Sequence, residues 1–190
     1  MNDSPSILNQ PRVIPGGRPP NSDFHFDWPY ERPLGDPAVA EIWCYTPRMS
    51  YRPGEVVDLH VHTTRTTFEI DIYRDGPRPT TVYSHRNVPG TTGTTPRDAN
   101  VVGCDWPVAL RVTVGDDWSS GFYVVVVRVT DDDGGVFERE HFFVVRAAVP
   151  AARTSLAFVV STGTMCAYND WGGGNCYHGP ESTPRDRVPC

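Results

Sequence analysis

Hydrophobic and polar residues alternate with period two through the middle of the chain, and turn residues interrupt the alternation at intervals. Val57, Leu59 and Val61 alternate with Asp58, His60 and His62 after the turn Pro53-Gly54. Phe68, Ile70 and Ile72 alternate with Glu69, Asp71 and Tyr73, and that run stops at Asp75-Gly76-Pro77. Leu110, Val112 and Val114 alternate with Arg111 and Thr113 and end at Gly115-Asp116-Asp117. Each run reads as a half-buried antiparallel strand, because successive side chains of a strand point to opposite faces. Residues 122–130 are apolar on both faces over most of their length, which places them at the centre of a sheet. The string Asp131-Asp132-Asp133-Gly134-Gly135 is a hairpin turn into residues 136–146. With residues 39–45 and 80–85, about seven strands follow one another at the spacing of a sandwich.

The two ends of the chain read differently. Residues 1–36 are rich in Pro, with Asn, Asp and Gly among them and no hydrophobic period, so they predict an extended arm. Phe24, Phe26, Trp28 and Tyr30 form an aromatic ladder within it that is suited to dock the arm on a neighbouring face. Beyond the sandwich, residues 147–153 predict a short linker. Residues 155–160 then form a continuous apolar run, the pattern of a buried parallel strand. One strand and one loop cannot bury both faces of that strand. The predicted organisation is therefore an arm over 1–36, a sandwich over 37–149, and the incomplete beginning of an α/β domain over 150–190. The fold class is mainly β, an antiparallel sandwich (Ig-like or jelly-roll-like) followed by the first strand and loop of a truncated α/β domain.

Composition sharpens this picture. All 17 basic residues are Arg, and Val outnumbers Leu 24 to 5. Without Lys there is no Walker-type phosphate loop and no Lys Schiff base. A Val-rich, Leu-poor chain favours pleated surfaces over helical bundles. The net charge of −6 speaks against nucleic acid as a partner, since phosphate binding draws on an excess of positive charge. The longest apolar run, residues 122–127, is too short to span a bilayer. The polar opening Met1-Asn2-Asp3-Ser4-Pro5 lacks the pattern of a signal peptide, so the cytoplasm is the expected compartment. Five widely spaced cysteines without a CxxC predict free buried thiols and no zinc ribbon.

Several groups carry candidate chemistry. His60 and His62 lie on one strand face and suit a metal, with Asp58 or Asp71 as a further ligand, but a solvated polar face explains the same pattern. The Asp131–Asp133 run lacks the downstream Glu of a calcium loop and reads as a charged hairpin tip. Trp118 and Gly121 predict structural roles, a ring packed over a strand start and a backbone position that tolerates no Cβ. More specific is the string Ala167-Tyr168-Asn169-Asp170-Trp171-Gly172-Gly173-Gly174-Asn175-Cys176-Tyr177, which crowds polar and aromatic side chains after a predicted strand, where α/β sheets place ligands.

Four motifs in order, Tyr73-Arg74-Asp75-Gly76, Gly103-Cys104-Asp105-Trp106, Trp118-Ser119-Ser120-Gly121-Phe122-Tyr123 and Ala167 through Gly173, resemble the large (beta) subunit family of N,N-dimethylformamidase. The resemblance implies hydrolysis of a small amide at a mononuclear iron held by Tyr and Glu side chains. It also implies a catalytic α/β domain, similar to class I glutamine amidotransferases, that lies mostly beyond the glycine-rich motif. On this basis Tyr168 is the candidate iron ligand and, with Asn169, a candidate catalytic residue, and Tyr177 is a weaker ligand candidate. Cys104, Asp105, Trp106, Trp118, Gly121, Trp171, Gly172 and Gly173 are motif residues with structural roles. Gly174 and Cys176 depart from the family pattern, and no carboxylate of this chain matches the family's Glu ligand. The expectation is an N-terminal fragment of an amidohydrolase, with a small amide as substrate and with a small partner subunit and a homo-oligomer left open. The alternative is a non-catalytic sandwich giving structural support, or binding carbohydrate or a partner through exposed aromatics such as Trp28 or Trp106.

Overall fold

In the computed structural model of the chain, the described residues are 32–149, 157–169, 171, 172 and 176. The strands follow the turn signals of the sequence: β1 (Ile42–Tyr45), β2 (Ser50–Tyr51), β3 (Val56–Thr63), β4 (Thr67–Arg74) and β5 (Thr80–Pro89). After the one-turn helix α1 (Ala99–Val102) come β6 (Val108–Thr113), β7 (Gly121–Thr130) and β8 (Val136–Val145), and then α2 (Thr162–Tyr168). They form a three-stranded sheet ordered β1-β3-β6 and a five-stranded sheet ordered β2-β8-β7-β4-β5. Every pairing is antiparallel except that of the two-residue β2 with β8, which is parallel.

The alternation decides what is inside. Val57, Leu59 and Val61 of β3 face Phe68, Ile70 and Ile72 of β4 and Tyr123, Val125 and Val127 of β7 across one core. Each such side chain contributes about 1.5–3 kcal/mol when fully removed from water, so the two inner faces hold the sheets together. β7 is the central strand that its two-sided apolarity predicts, paired with β8 on one side and β4 on the other. On the outer face of the five-stranded sheet, charges of opposite sign alternate across strands. Asp71 of β4 meets Arg86 of β5 and Arg128 of β7, and Arg128 meets Glu138 of β8. Burial pushes the Asp71 carboxyl up, but hydrogen bonds from Ser84, Arg86 and Arg128 prevail and hold it below the ordinary carboxylate range.

Two loops confirm their sequence signals. The Asp131 carboxylate accepts hydrogen bonds from the N–H groups of Asp133 (3.0 Å) and Gly135, so the acidic run is a self-capped hairpin tip. Trp118 stacks on Tyr123 at 5.2 Å, and Tyr123 Oη donates to the Ser119 carbonyl (2.6 Å). Gly121, at φ +155°, leaves room for Arg74; a Cβ there would lie 3.0 Å from Arg74 Nε. The motifs Tyr73–Gly76 and Trp118–Tyr123 thus close one end of the sandwich together. There Arg74 Nη2 donates to the Ser120 carbonyl (3.1 Å) and the Asp75 N–H donates to the Phe122 carbonyl (2.8 Å).

Other expectations change. The described strands number eight, because β2 adds a two-residue edge that no alternation could reveal. Residues 157–160 pair with no strand among the described residues, and Phe158 and Val159 are 86% and 82% exposed. An apolar run becomes a buried strand only where a sheet offers it an edge and two covered faces. The expectation of free buried thiols holds for Cys44 and Cys104, which are half-buried and free. It fails for Cys166, which is exposed, and for Cys176, which is disulfide-bonded. The Phe24–Tyr30 ladder lies outside the described residues.

Candidate functional site

The outer face of the three-stranded sheet gathers the residues that the sequence singled out. Period two puts Trp43 and Tyr45 of β1 and His60 and His62 of β3 on that face. The loop from β5 to β6 folds over it. Thr63 N–H donates to the Thr91 carbonyl (3.0 Å) and Gly90 N–H to the Thr66 carbonyl (2.8 Å), which starts the crossing. Trp106 at the far end of the loop is inserted beside His62 and Tyr45, with ring centroids 5.3 and 5.5 Å away, and is only 2% exposed.

Among the described residues no third metal ligand joins the two histidines, and the burial of His62 takes it out of any solvated face. His62 is 1% exposed. Its Nε2 lies 3.1 Å from Glu41 Oε1 and its Nδ1 lies 3.0 Å from Gly93 N. With Nε2 protonated, the ring donates to the carboxylate, and Nδ1 faces both the Gly93 N–H and the Gly93 carbonyl oxygen (2.9 Å), accepting from the first when unprotonated and donating to the second when protonated. The Glu41 carboxylate also accepts from Leu34 N (3.0 Å), Gly35 N (2.7 Å) and Trp43 Nε1 (3.4 Å). Burial raises the Glu41 pKa, yet these hydrogen bonds outweigh it and leave the carboxyl below its ordinary range. His60 stacks on Tyr45 at 4.7 Å and its Nδ1 lies 2.6 Å from the Trp106 carbonyl oxygen, while Tyr45 Oη donates to the Cys104 carbonyl. Burial pushes the Tyr45 phenol up, so it stays a neutral donor there. Asp58 is tied to Arg111 (3.0 Å) and Asp71 belongs to the opposite sheet, so neither proposed metal partner reaches the pair.

Onto this layer the glycine-rich motif is seated. Trp171 meets Trp43 and Trp106 edge-on, at 6.0 and 5.8 Å. Trp43 carries the Arg139 guanidinium 4.6 Å from its ring centroid. Gly172, at φ +86°, lies against α1. Cys176 N–H donates to the Ala167 carbonyl (3.1 Å), which folds the motif back on the end of α2. The motifs Gly103–Trp106 and Ala167–Gly173, far apart in sequence, are therefore one contact.

Tyr168 is the last residue of α2 and is 64% exposed, beyond the buried layer. Asn169 caps that helix, its N–H donating to the Cys166 carbonyl (3.4 Å) and its Oδ1 accepting from Trp171 N (3.3 Å). Asp105 is exposed and Cys104 half-buried. Tyr177 and Gly173 lie outside the described residues. Among the described residues no three His, Cys, Asp or Glu side chains stand together as metal ligands. They do not by themselves fit a resident iron.

Sequence reasoning missed Glu41, Gly93 and Asn100, the groups that build the seat. Glu41 stands just ahead of β1, and its role arises only when His62 and the 34–35 backbone converge on it. Among the described residues no helix is long and apolar enough to cross a membrane.

No curated protein matches the chain. Among solved structures, murine CRIg is similar at 14% identity and a TM-score of 0.38, covering 57% of this chain and 99% of its own. A marsupial T cell receptor is similar at 16% identity and a TM-score of 0.31, covering 57% of this chain and 36% of its own. A family model described as "N,N-dimethylformamidase beta subunit-like, C-terminal" matches residues 64–189, from the end of β3 through the glycine-rich motif, and with two thirds of its length matched the chain belongs to that family.

Proposed function

We propose that the sandwich is the structural support of a dimethylformamidase-like amidohydrolase, and that residues 150–190 open its amide-hydrolysing domain. The observation that carries this reading is the seat of Trp171 and Gly172 on Trp43, Trp106 and α1. Three indoles fixed against one another orient the end of α2, and with it Tyr168 and Asn169, relative to a rigid sheet. A catalytic group gains from such a scaffold, because its geometry has to be held closely for turnover. In this reading the Tyr168 phenol and the Asn169 amide are the groups this chain presents to the carbonyl of a small amide. The remaining ligands and the metal belong to further polypeptide.

Of the two aromatics named for a carbohydrate- or partner-binding face, the ring of Trp106 is buried and so does not offer itself to a ligand, while Trp28 lies outside the described residues. The purified 190-residue chain, supplied with ferrous iron and dimethylformamide, is expected to hold iron well below one equivalent and to release no dimethylamine. Turnover by this chain alone would overturn the division of labour. The DNA after the Cys190 codon supplies the other arm. A frame continuing with an α/β pattern and a carboxylate-bearing motif supports the reading, and an immediate stop codon counts against it.

A further inference from the structure

The buried ring of His62 gives its Nε2 proton to Glu41, but its Nδ1 stands between two groups that make opposite demands. The Gly93 N–H is 3.0 Å away and the Gly93 carbonyl oxygen 2.9 Å away, both at hydrogen-bond distance. An unprotonated Nδ1 accepts from the N–H, and a protonated one donates to the carbonyl. Among the described residues neither Gly93 group has another protein partner, so each proton state leaves one of them short. A small rotation at Gly93 trades one bond for the other, and a residue without a Cβ turns most freely. Gly93 is also where the loop meets Trp106: a Cβ there would lie 2.5 Å from Trp106 Cδ1. Movement at Gly93 therefore reaches the indole on which Trp171 is seated.

We propose that His62 is a proton-operated latch on the loop between β5 and β6: the neutral ring holds Gly93 by its N–H, the imidazolium holds it by its carbonyl, and Trp106 shifts with the exchange. The proton enters from solvent at Nδ1, and only hydrogen bonds are made and broken. Among the described residues, the titratable and charged groups around the ring are Glu41 on its Nε2 side, His60 two positions away on β3, Tyr45 of β1 stacked on His60, Cys104 and Asp105 in the loop beside Trp106, and Arg139 of β8 over Trp43. Of these, Glu41 alone bonds the ring, and its carboxylate balances the imidazolium in place. Any consequence for Tyr168 and Asn169 rests on the amide-hydrolysing role proposed for them. The latch itself does not, and it can be read without substrate.

The full chain, labelled with nitrogen-15, is titrated from about pH 8 to about pH 5 and followed by NMR, the range in which an imidazole changes charge. The ring nitrogens of His62 report their protons, the Gly93 amide reports its hydrogen bond, and the Trp106 indole N–H reports the loop. Nε2 is expected to stay protonated throughout, while Nδ1 gains a proton as pH falls. The Gly93 amide proton should move upfield with the same midpoint as it loses its acceptor, and the Trp106 signal should follow. A ring that keeps one proton state across the range, or a Gly93 amide that does not move with the ring, would overturn the proposal. His60 also touches Trp106, its Nδ1 lying 2.6 Å from the Trp106 carbonyl oxygen, so the titration is repeated in His60→Gln. The coupled response of His62 and Gly93 should survive there. Its disappearance from a folded His60→Gln chain would assign the switch to His60 and sink the latch at His62.

Discussion

Gly172 lies so close to Asn100 that a Cβ on the glycine would stand 3.0 Å from the Asn100 backbone nitrogen and 3.3 Å from the Ala99 Cβ. Helix α1 and the glycine-rich motif touch at a point where neither backbone can retreat cheaply, and φ at Gly172 is +86°. Gly172→Ala therefore meets both a contact and a left-handed conformation that costs about 1–2 kcal/mol in L-residues. That cost is roughly a tenfold loss in the docked population. Limited proteolysis should cut the variant between residues 150 and 170 about tenfold faster than the parent chain. The thermal midpoint of the sandwich should stay unchanged, since none of its core side chains is touched.

At the opposite end, Gly121→Ala should destabilise the sandwich itself. The added Cβ would press on Arg74 Nε at 3.0 Å and threaten the bond from Arg74 to Ser120, at a backbone angle of +155°. A loss of about 1–3 kcal/mol follows from strain of this kind. Urea unfolding should show a lower midpoint with an unchanged slope. Arg74→Ala in the same chain removes the collision but not the strain, so the double variant should fall short of the sum of the singles.

His141 of β8 sets a pH dependence. Its Nε2 lies 2.9 Å from Thr46 Oγ1 and accepts the Thr46 N–H (3.2 Å), and burial pushes its pKa down to about 4. The unfolded imidazole titrates near 6.5 and so binds a proton that the folded one refuses between those values. Stability from this group is full above pH 6.5 and declines as pH falls toward 4, by about 3 kcal/mol over the whole window. Chemical denaturation at pH 7 and pH 5 should reveal the loss, and His141→Gln should flatten it.

The strands were legible because alternation is local. Leu59 and Ile70 face inward for a reason written in their immediate neighbours, and Gly121 announced its role by standing before a strongly β segment. The seat was legible only in part. Trp106 and Trp171 could be marked as motif residues, but their contact joins segments more than sixty positions apart and rests on the loop between β5 and β6. His62 misled for the same reason: on its own strand it belongs to the polar face, and the loop that buries it comes from elsewhere. The run at 155–160 shows the converse, since its apolar pattern describes a strand whose covering faces are not supplied by the described residues.

The thiols should separate by position. Burial pushes the Cys44 thiol up to about 12, so it carries almost no thiolate at neutral pH, whereas Cys166 is exposed on α2. A charged disulfide reagent added to the folded chain should modify Cys166 first. Cys44 should react only after denaturation. Early loss of both thiols together would show that β1 opens far more readily than its packing allows.

Glu41 offers the sharpest test of the network under Trp106. Its carboxylate accepts from Leu34, Gly35, Trp43 and His62, so Glu41→Gln replaces an all-acceptor group with one that also donates, leaving N–H groups facing N–H groups. A buried hydrogen-bond mismatch costs about 1–3 kcal/mol. The sign with pH is opposite in form to a raised group. Because the folded pKa of Glu41 is depressed, its contribution is present above the ordinary 4.5 and is lost as pH falls through the folded value. The gap in unfolding free energy between the parent and Glu41→Gln should therefore be widest at neutral pH and should close on acidification below 4.5. A gap that stays constant across that range would mean that the charge of Glu41 does not hold the Leu34–Gly35 backbone and His62 in place.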